Sequence, residues 1–225
     1  MKKLFLLTCL LVLVAASPVA ATPSTAVWIP STDIQPADKV HFGIDNYFTA
    51  KSLQAGESTG AFTTPTYGLT FGFKNGEAGI DYVAGQRDPL YFNFKFKLAG
   101  KTPSDLNVVA GVYNIGTTKT TNQEIKYILT SVTDANNWRY SLGYGVGRKD
   151  ALGTDNKMLL ASIDKQLNDK WWVCVDYQSG KSALGALNVG VSYAFAPNAS
   201  LLVGYDIYND RNLKNTITTQ LDINF

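Results

Sequence analysis

TITTQLDINF, Thr216 to Phe225, decides how the rest of the chain is read. Ile217, Thr219, Leu221, Ile223 and Phe225 fall on one face of an extended strand, and Thr218, Gln220, Asp222 and Asn224 on the other. The last residues of a soluble domain are usually loose and hydrophilic, yet here the apolar face is kept as far as Phe225. Such a strand has a use for that face, either in a core or against lipid.

Working outward, the same period of two recurs from Lys39 onward, while helical spacing is scarce. KVHFGIDNYF sets Val40, Phe42, Ile44 and Phe48 against Lys39, His41, Gly43, Asp45 and Tyr47. YFNFKFKL sets Phe92, Phe94, Phe96 and Leu98 against Asn93, Lys95 and Lys97; WRYSLGYGVG sets Trp138, Tyr140, Leu142, Tyr144 and Val146 against Arg139, Ser141, Gly143 and Gly145. YGLTFGFK, WWVCVDYQ, LNVGVSYAF and LLVGYDIY repeat the pattern. Stretches near 77–84, 106–116, 125–133 and 158–167 are also strands, though their facing is less clean. The reading is all-β with about twelve strands of the length a tilted membrane strand needs, ~9 to 11 residues.

Connections alternate short and long. Asn75-Gly76 is followed by Gly85 to Pro89, Asp134 to Asn137 by Arg148 to Lys157, and Asn168-Asp169 by Gly180 to Gly185. Asn75-Gly76 matches a type I′ hairpin turn, in which both residues take positive φ. Tight turns on one rim and longer loops on the other are the layout of a bacterial outer-membrane barrel with both termini periplasmic.

The other end of the chain agrees. Lys2 and Lys3 precede an apolar run from Leu4 to Ala16, and Val19-Ala20-Ala21 fits a signal peptidase site, so residues 1–21 read as a secretory signal. Cys9 lies inside the apolar run, which argues against a lipoprotein signal. The signal takes two of the twenty basic residues and none of the eighteen acidic ones, leaving the mature chain balanced. No basic stripe points to nucleic acid. Cys174 becomes the only mature cysteine, so no intramolecular disulfide forms.

Three features turn the apolar face outward. The polar phase is mostly Gly, Ser, Thr and Asn, unlike a water-facing surface rich in Lys, Glu and Arg. Aromatics gather near strand ends: Phe73, Trp138, Trp171, Tyr193, Phe195 and Phe225 toward the tight turns, Phe48 and Tyr177 toward the loops. Such belts suit the two membrane interfaces. An even strand count closes antiparallel pairing and removes exposed edges.

The end LDINF, with Leu221, Ile223 and Phe225, resembles the C-terminal signal read by the outer-membrane assembly machinery of Gram-negative bacteria. With the signal peptide and the loop alternation, the mature chain resembles an outer-membrane β-barrel. In size and strand count it is similar to small twelve-stranded channels for oligosaccharides or nucleosides. The resemblance implies a transmembrane antiparallel barrel over residues 39–225 in the outer membrane, preceded by a periplasmic segment, 22–38. Its expected partners are the lipid bilayer, the assembly machinery and small hydrophilic solutes.

Twelve strands lie between a self-filled eight-stranded barrel and a wide porin. Gly43, Gly68, Gly72, Gly143, Gly145, Gly190 and Gly204 fall on the inward phase and would leave space for a modest pore. They would equally relieve crowding beside bulky inward groups such as Tyr47 and Trp172. The lumen-lining set is Lys39, His41, Asp45, Lys95, Lys97, Arg139, Asp176, Asp206 and Asp222, with Asp81 and Asp164 less defined. Asp45, Asp176 and Asp206 would form an acidic patch toward the loop end of one wall, giving weak cation preference in an open lumen. Alternatively the charges pair across the lumen and stabilise the barrel.

Three functional classes stand open: a passive channel, a closed structural or surface-interaction barrel, and an outer-membrane lipid hydrolase. The last needs a histidine beside a serine. His41, the sole histidine, points inward and away from a lipid substrate. Gly143-Tyr144-Gly145-Val146-Gly147 lies along a strand with no helix behind it, so it is not a dinucleotide loop. No His, Cys and carboxylate cluster has metal spacing, and neither catalytic residue nor cofactor is expected. AVWIPSTDIQPADK, Ala26 to Lys39, is an irregular stretch broken by Pro30 and Pro36. It reads as a periplasmic tether against the rim, with a lumenal plug anchored by Trp28 and Ile29 as the alternative.

Overall fold

The alternating segments form twelve antiparallel strands in the computed structural model, which describes residues 24–49 and 51–225. The expected signal peptide lies outside the described residues. In chain order the strands are β1 (Val40–Thr49), β2 (Thr66–Phe73), β3 (Gly76–Val83), β4 (Leu90–Ala99), β5 (Asn107–Gly116) and β6 (Ile125–Thr133). There follow β7 (Trp138–Val146), a single helical turn α1 (Lys149–Leu152), β8 (Lys157–Gln166), β9 (Trp171–Gln178), β10 (Ala186–Ala196), β11 (Ala199–Tyr208) and β12 (Thr216–Asn224). Each strand pairs with its sequence neighbours, and β12 pairs with β1 from His41↔Asn224 to Thr49↔Thr216, closing the barrel. Among the described residues no helix is long and apolar enough to cross a membrane, which leaves the strands to do so.

Strand β12 shows the barrel's polarity. Thr216 and Thr218 are fully buried, while Ile217 between them is 40% exposed and Phe225 63% exposed. The same inversion runs round the wall: Asn188 and Asp206 are fully buried, and Leu187, Val189, Tyr205 and Ile207 beside them are exposed. Apolar surface this continuous would aggregate in water, so the outer face is one built for lipid. Aromatics mark its lower edge. Trp171 and Tyr193 rings lie 4.7 Å apart, Phe73 and Phe96 5.7 Å apart, and Lys165 Nζ sits 5.0 Å from the Trp138 ring, a cation drawn to an interfacial aromatic.

Turns at residues 74–75, 100–106, 134–137, 167–170 and 197–198 occupy one rim; connections 51–65, 84–89, 117–124, 147–156, 179–185 and 209–215 occupy the other. The first turn differs from the expected Asn75-Gly76 pair. Phe73 pairs with Gly76, so Lys74 and Asn75 form the turn, and Asn75 supplies the positive φ of 62°. Gly76 is needed for a different reason, because any side chain there would run into the Phe73 ring.

The interior is divided. Val109, Ile125, Leu129, Met158, Leu160, Cys174 and Leu202, from β5, β6, β8, β9 and β11, form a buried apolar cluster with Val27 and Ile29 of the N-terminal segment. The wall made by β1 to β4 is polar inside. Residues 24–35 therefore run within the barrel while 36–38 are exposed at its tight-turn end, and the rim-tether reading of 22–38 gives way to the plug over 24–35. The reason is apolar: Ala26, Val27 and Ile29 are each 2% exposed or less, a burial the rim could not provide.

Candidate functional site

The lumenal segment folds as a small hairpin. Thr25 bridges Pro30, and Ala26 N–H donates to Ile29 O at 2.8 Å, placing Val27 and Trp28 at the tip. A tip inside a barrel has N–H groups that water cannot reach, and they must find acceptors. Asp176 provides one: its Oδ2 accepts from Val27 N (2.8 Å), Trp28 N (2.7 Å) and Ile29 N (3.2 Å), while Asn188 Nδ2 holds Oδ1 at 2.6 Å. Gln220 Nε2 donates to Val27 O at 2.7 Å. Val27 fits because β10 and β11 offer it glycines; a Cβ at Gly190 would lie 2.6 Å from Val27 Cγ2, and one at Gly204 3.2 Å from Val27 Cγ1. The Trp28 indole N–H donates to Leu184 O at 3.0 Å, and its ring meets Tyr47 and Tyr208 edge-on, so the tip reaches the long-loop rim.

Charged residues of the wall fasten the stem. Lys95 Nζ donates to Ser24 O at 2.9 Å and Ser31 O at 3.3 Å and pairs with Glu77 Oε1 at 2.9 Å. Glu77 Oε2 also accepts from Gln35 N at 2.7 Å. Thr32 and Ser131 hydroxyls meet at 2.5 Å. Arg139 pairs with Asp33 of the segment and with Asp164, whose Oδ2 lies 2.9 Å from Nε. Lower still, Gly72 leaves room for the backbone of Gln35 and Pro36.

Between the hairpin and the polar wall remains a cavity of about 350 Å³. It reaches from Phe62 and Ala183 of the long loops down to His41 and Glu77, with Asp45, Asp81 and Asp222 along its side. Glycine makes it possible: Gly43, Gly68 and Gly79 lie on three adjacent strands, paired Gly43↔Gly68, and all three line it. The inward glycines thus serve the space-making purpose expected of them and a second one that was not. On β1 to β3 they leave space, and on β10 and β11 they seat the plug.

The nine residues assigned to the lumen from sequence separate by role. His41, Asp45, Lys95 and Asp222 line the cavity. Asp176 and Arg139 point inward but hold the hairpin, and Asp206 accepts from Thr216 Oγ1 at 2.7 Å. Lys97 is half-buried near the tight-turn end of β4, and Lys39 precedes β1 as an exposed rim residue, outside the lumen. Of the expected acidic patch of Asp45, Asp176 and Asp206, only Asp45 lines the cavity, since Asp176 binds the hairpin and Asp206 binds Thr216. The acidic wall lies elsewhere, in Asp45, Asp81 and Asp222. Glu77 was not singled out from sequence, although it shares the inward phase of Asp81.

His41 Nε2 lies 3.1 Å from Asp222 Oδ1, and Ser200 Oγ donates to Asp222 Oδ2 at 3.5 Å. A hydrolytic relay puts the imidazole between serine and carboxylate. Here the carboxylate stands between the other two, an arrangement that fixes side chains and activates no hydroxyl. Among the described residues no group of His, Cys, Asp and Glu could hold a metal ion.

Outside the strands, the loop carboxylates serve local structure. Asp105 accepts from Lys101 N and Thr102 N at 2.8 Å each, which holds its carboxyl below the usual range and ties the 100–106 turn. Glu124 is likewise held down by Lys126 and Arg148.

No protein-family model and no curated protein matches the sequence. Among solved structures, the chain is similar to the KdgM porin, with a TM-score of 0.57 at 12% identity over 83% of this chain and 99% of that one. The fold is that of a twelve-stranded porin. The same porin in complex with disordered oligogalacturonate gives the same figures, and the NanC porin gives a TM-score of 0.50 at 12% identity, covering 83% of this chain and 98% of that one.

Proposed function

We propose that this chain is a passive outer-membrane channel for small hydrophilic solutes, with passage confined to the space between the hairpin and the β1–β4 wall. The observation that carries the reading is the cavity of about 350 Å³, with charged and polar groups along its β1–β4 side, lying beside the plug within a closed, lipid-facing barrel. The KdgM porin, similar in fold, has been seen in complex with disordered oligogalacturonate, which supports a solute path through such a barrel. Purified protein with the hairpin intact is expected to give discrete, small conductance steps in a planar bilayer. A second reading, a sealed barrel, is favoured by the fastening of the hairpin at Asp176, Lys95 and Arg139. It is the result if membranes containing protein of confirmed fold show no steps.

Leu221 and Ile223 on the lipid side of β12, with Phe225 just beyond it, are the residues to which we assign recognition by the outer-membrane assembly machinery. Exchanging Phe225 for Asp should lower the yield of folded protein in outer-membrane fractions severalfold while leaving refolding into detergent intact. Equal yields would remove that role.

A further inference from the structure

Gly43 on β1 stands in register with Asp222 on one side and Gly68 on the other, and Gly68 with Asp81. Two carboxylates thus flank a floor made of two glycines. Asp81 bends over that floor: a Cβ at Gly68 would lie 2.8 Å from its Oδ1, while Asn93 Nδ2 holds the other oxygen at 2.6 Å. Asp45 projects from β1 on the same face, one pleat above Gly43, with Asp222 and Asp81 as its charged neighbours.

The cations present do not balance these groups. Lys95 is spent on Glu77 and on two hairpin carbonyls, while His41 shares a hydrogen bond with Asp222. Asp45 makes no hydrogen bond or ion pair with any other described residue, and it opens to the cavity. The next inward residue on β1 is Tyr47, whose ring meets Trp28 at 5.4 Å, and both rings line the same cavity. Carboxylates below aromatic faces are the chemistry that binds organic cations, through charge and through the ring quadrupole. An anionic sugar acid would meet repulsion from the same wall.

Resting on the channel reading above, we propose that the cavity selects solutes bearing an ammonium or guanidinium group, which sits over Gly43 and Gly68 between Asp45, Asp81 and Asp222. Such a group replaces some of its hydration with carboxylate oxygens, while the rest of the solute passes Trp28 and Tyr47.

The test uses the full-length mature protein in planar bilayers under a KCl gradient, with argininamide as the probe and glutarate as its anionic counterpart. Two carboxylates without a cationic partner on the wall of the path, Asp45 and Asp81, should favour K⁺ over Cl⁻ by roughly threefold. Argininamide should produce resolved blockades, and glutarate none. Asp45→Asn combined with Asp81→Asn should bring the permeability ratio close to unity and shorten the blockades severalfold, with the heat-dependent gel mobility of a folded barrel retained. Should that pair not fold, Asp45→Asn alone is read in the same way. Steps without cation preference, glutarate blockades, or variants that behave as the native protein would overturn the inference and leave the channel standing. The absence of any steps would instead overturn the channel reading beneath it.

Discussion

Asp176→Ala is expected to convert a small, steady conductance into one with frequent visits to a larger level. The carboxylate accepts three consecutive backbone N–H groups at the hairpin tip, and alanine leaves all three without an acceptor in a buried site. Hydrogen bonds to a charged acceptor contribute roughly 1.5–3 kcal/mol each, and a buried donor left unpaired costs a similar amount. Even a partial loss, on the order of 3 kcal/mol, moves the equilibrium between inserted and displaced hairpin about a hundredfold. Displacement joins the present cavity to the space now held by Val27, Trp28 and Ile29, so the current must rise. Asp176→Asn keeps an acceptor oxygen and should fall between the two. Gly190→Leu reaches the same end by occupying the seat of Val27 without touching a charge. Single-channel recordings of the three variants decide the matter. If all three conduct as the native protein does, the hairpin does not bound the pore.

The importance of Asp176 bears on what could be read in the sequence. The barrel itself was legible wherever the two faces of a strand differ in chemistry, as in β1, β7, β10, β11 and β12. The facing was obscure near 77–84, 106–116, 125–133 and 158–167, and for the last three, which pack against the hairpin, the structure supplies the cause. In β6 and β8 both faces are apolar: Ile128 and Leu159 point to lipid, while Leu129 and Leu160 point to the hairpin. A strand between lipid and a packed plug has no polar phase to reveal its register. The blurred strands were therefore a sign of the plug, although alternation alone could not say so.

For the lumen charges the limit was different. Period two places Asp45, Asp176 and Asp206 on the inner face, but it cannot say which of them another chain segment will claim. Residues 24–38 carry no periodic signal, because their bonds go to the wall instead of to a neighbouring strand. Asp176 was thus visible as an inward carboxylate and invisible as an anchor. Gly190 and Gly204 were visible as small inward residues, and only Val27 explains them.

Leu142→Arg tests the membrane-facing surface on which every functional statement depends. Leu142 lies at the middle of β7 on the outer face and is 57% exposed. Leu106, in the 100–106 turn, is 62% exposed. In water the two sites are nearly equivalent, and arginine at either would be tolerated. In a bilayer they differ in depth alone. Arginine at the midplane of a barrel costs about 2–4 kcal/mol, falling to about 0–1 kcal/mol near the interface, where the side chain can extend to water. Denaturant unfolding of barrels refolded into lipid vesicles should therefore show Leu142→Arg destabilised by about 2–4 kcal/mol and Leu106→Arg by less than about 1 kcal/mol. Repeating the measurement in short-chain detergent micelles should narrow the gap, because a micelle deforms around the guanidinium more readily than a bilayer. Equal stabilities in vesicles would mean that the exposed row through Tyr140, Leu142 and Tyr144 does not meet hydrocarbon, and the barrel would then have to bury it against protein.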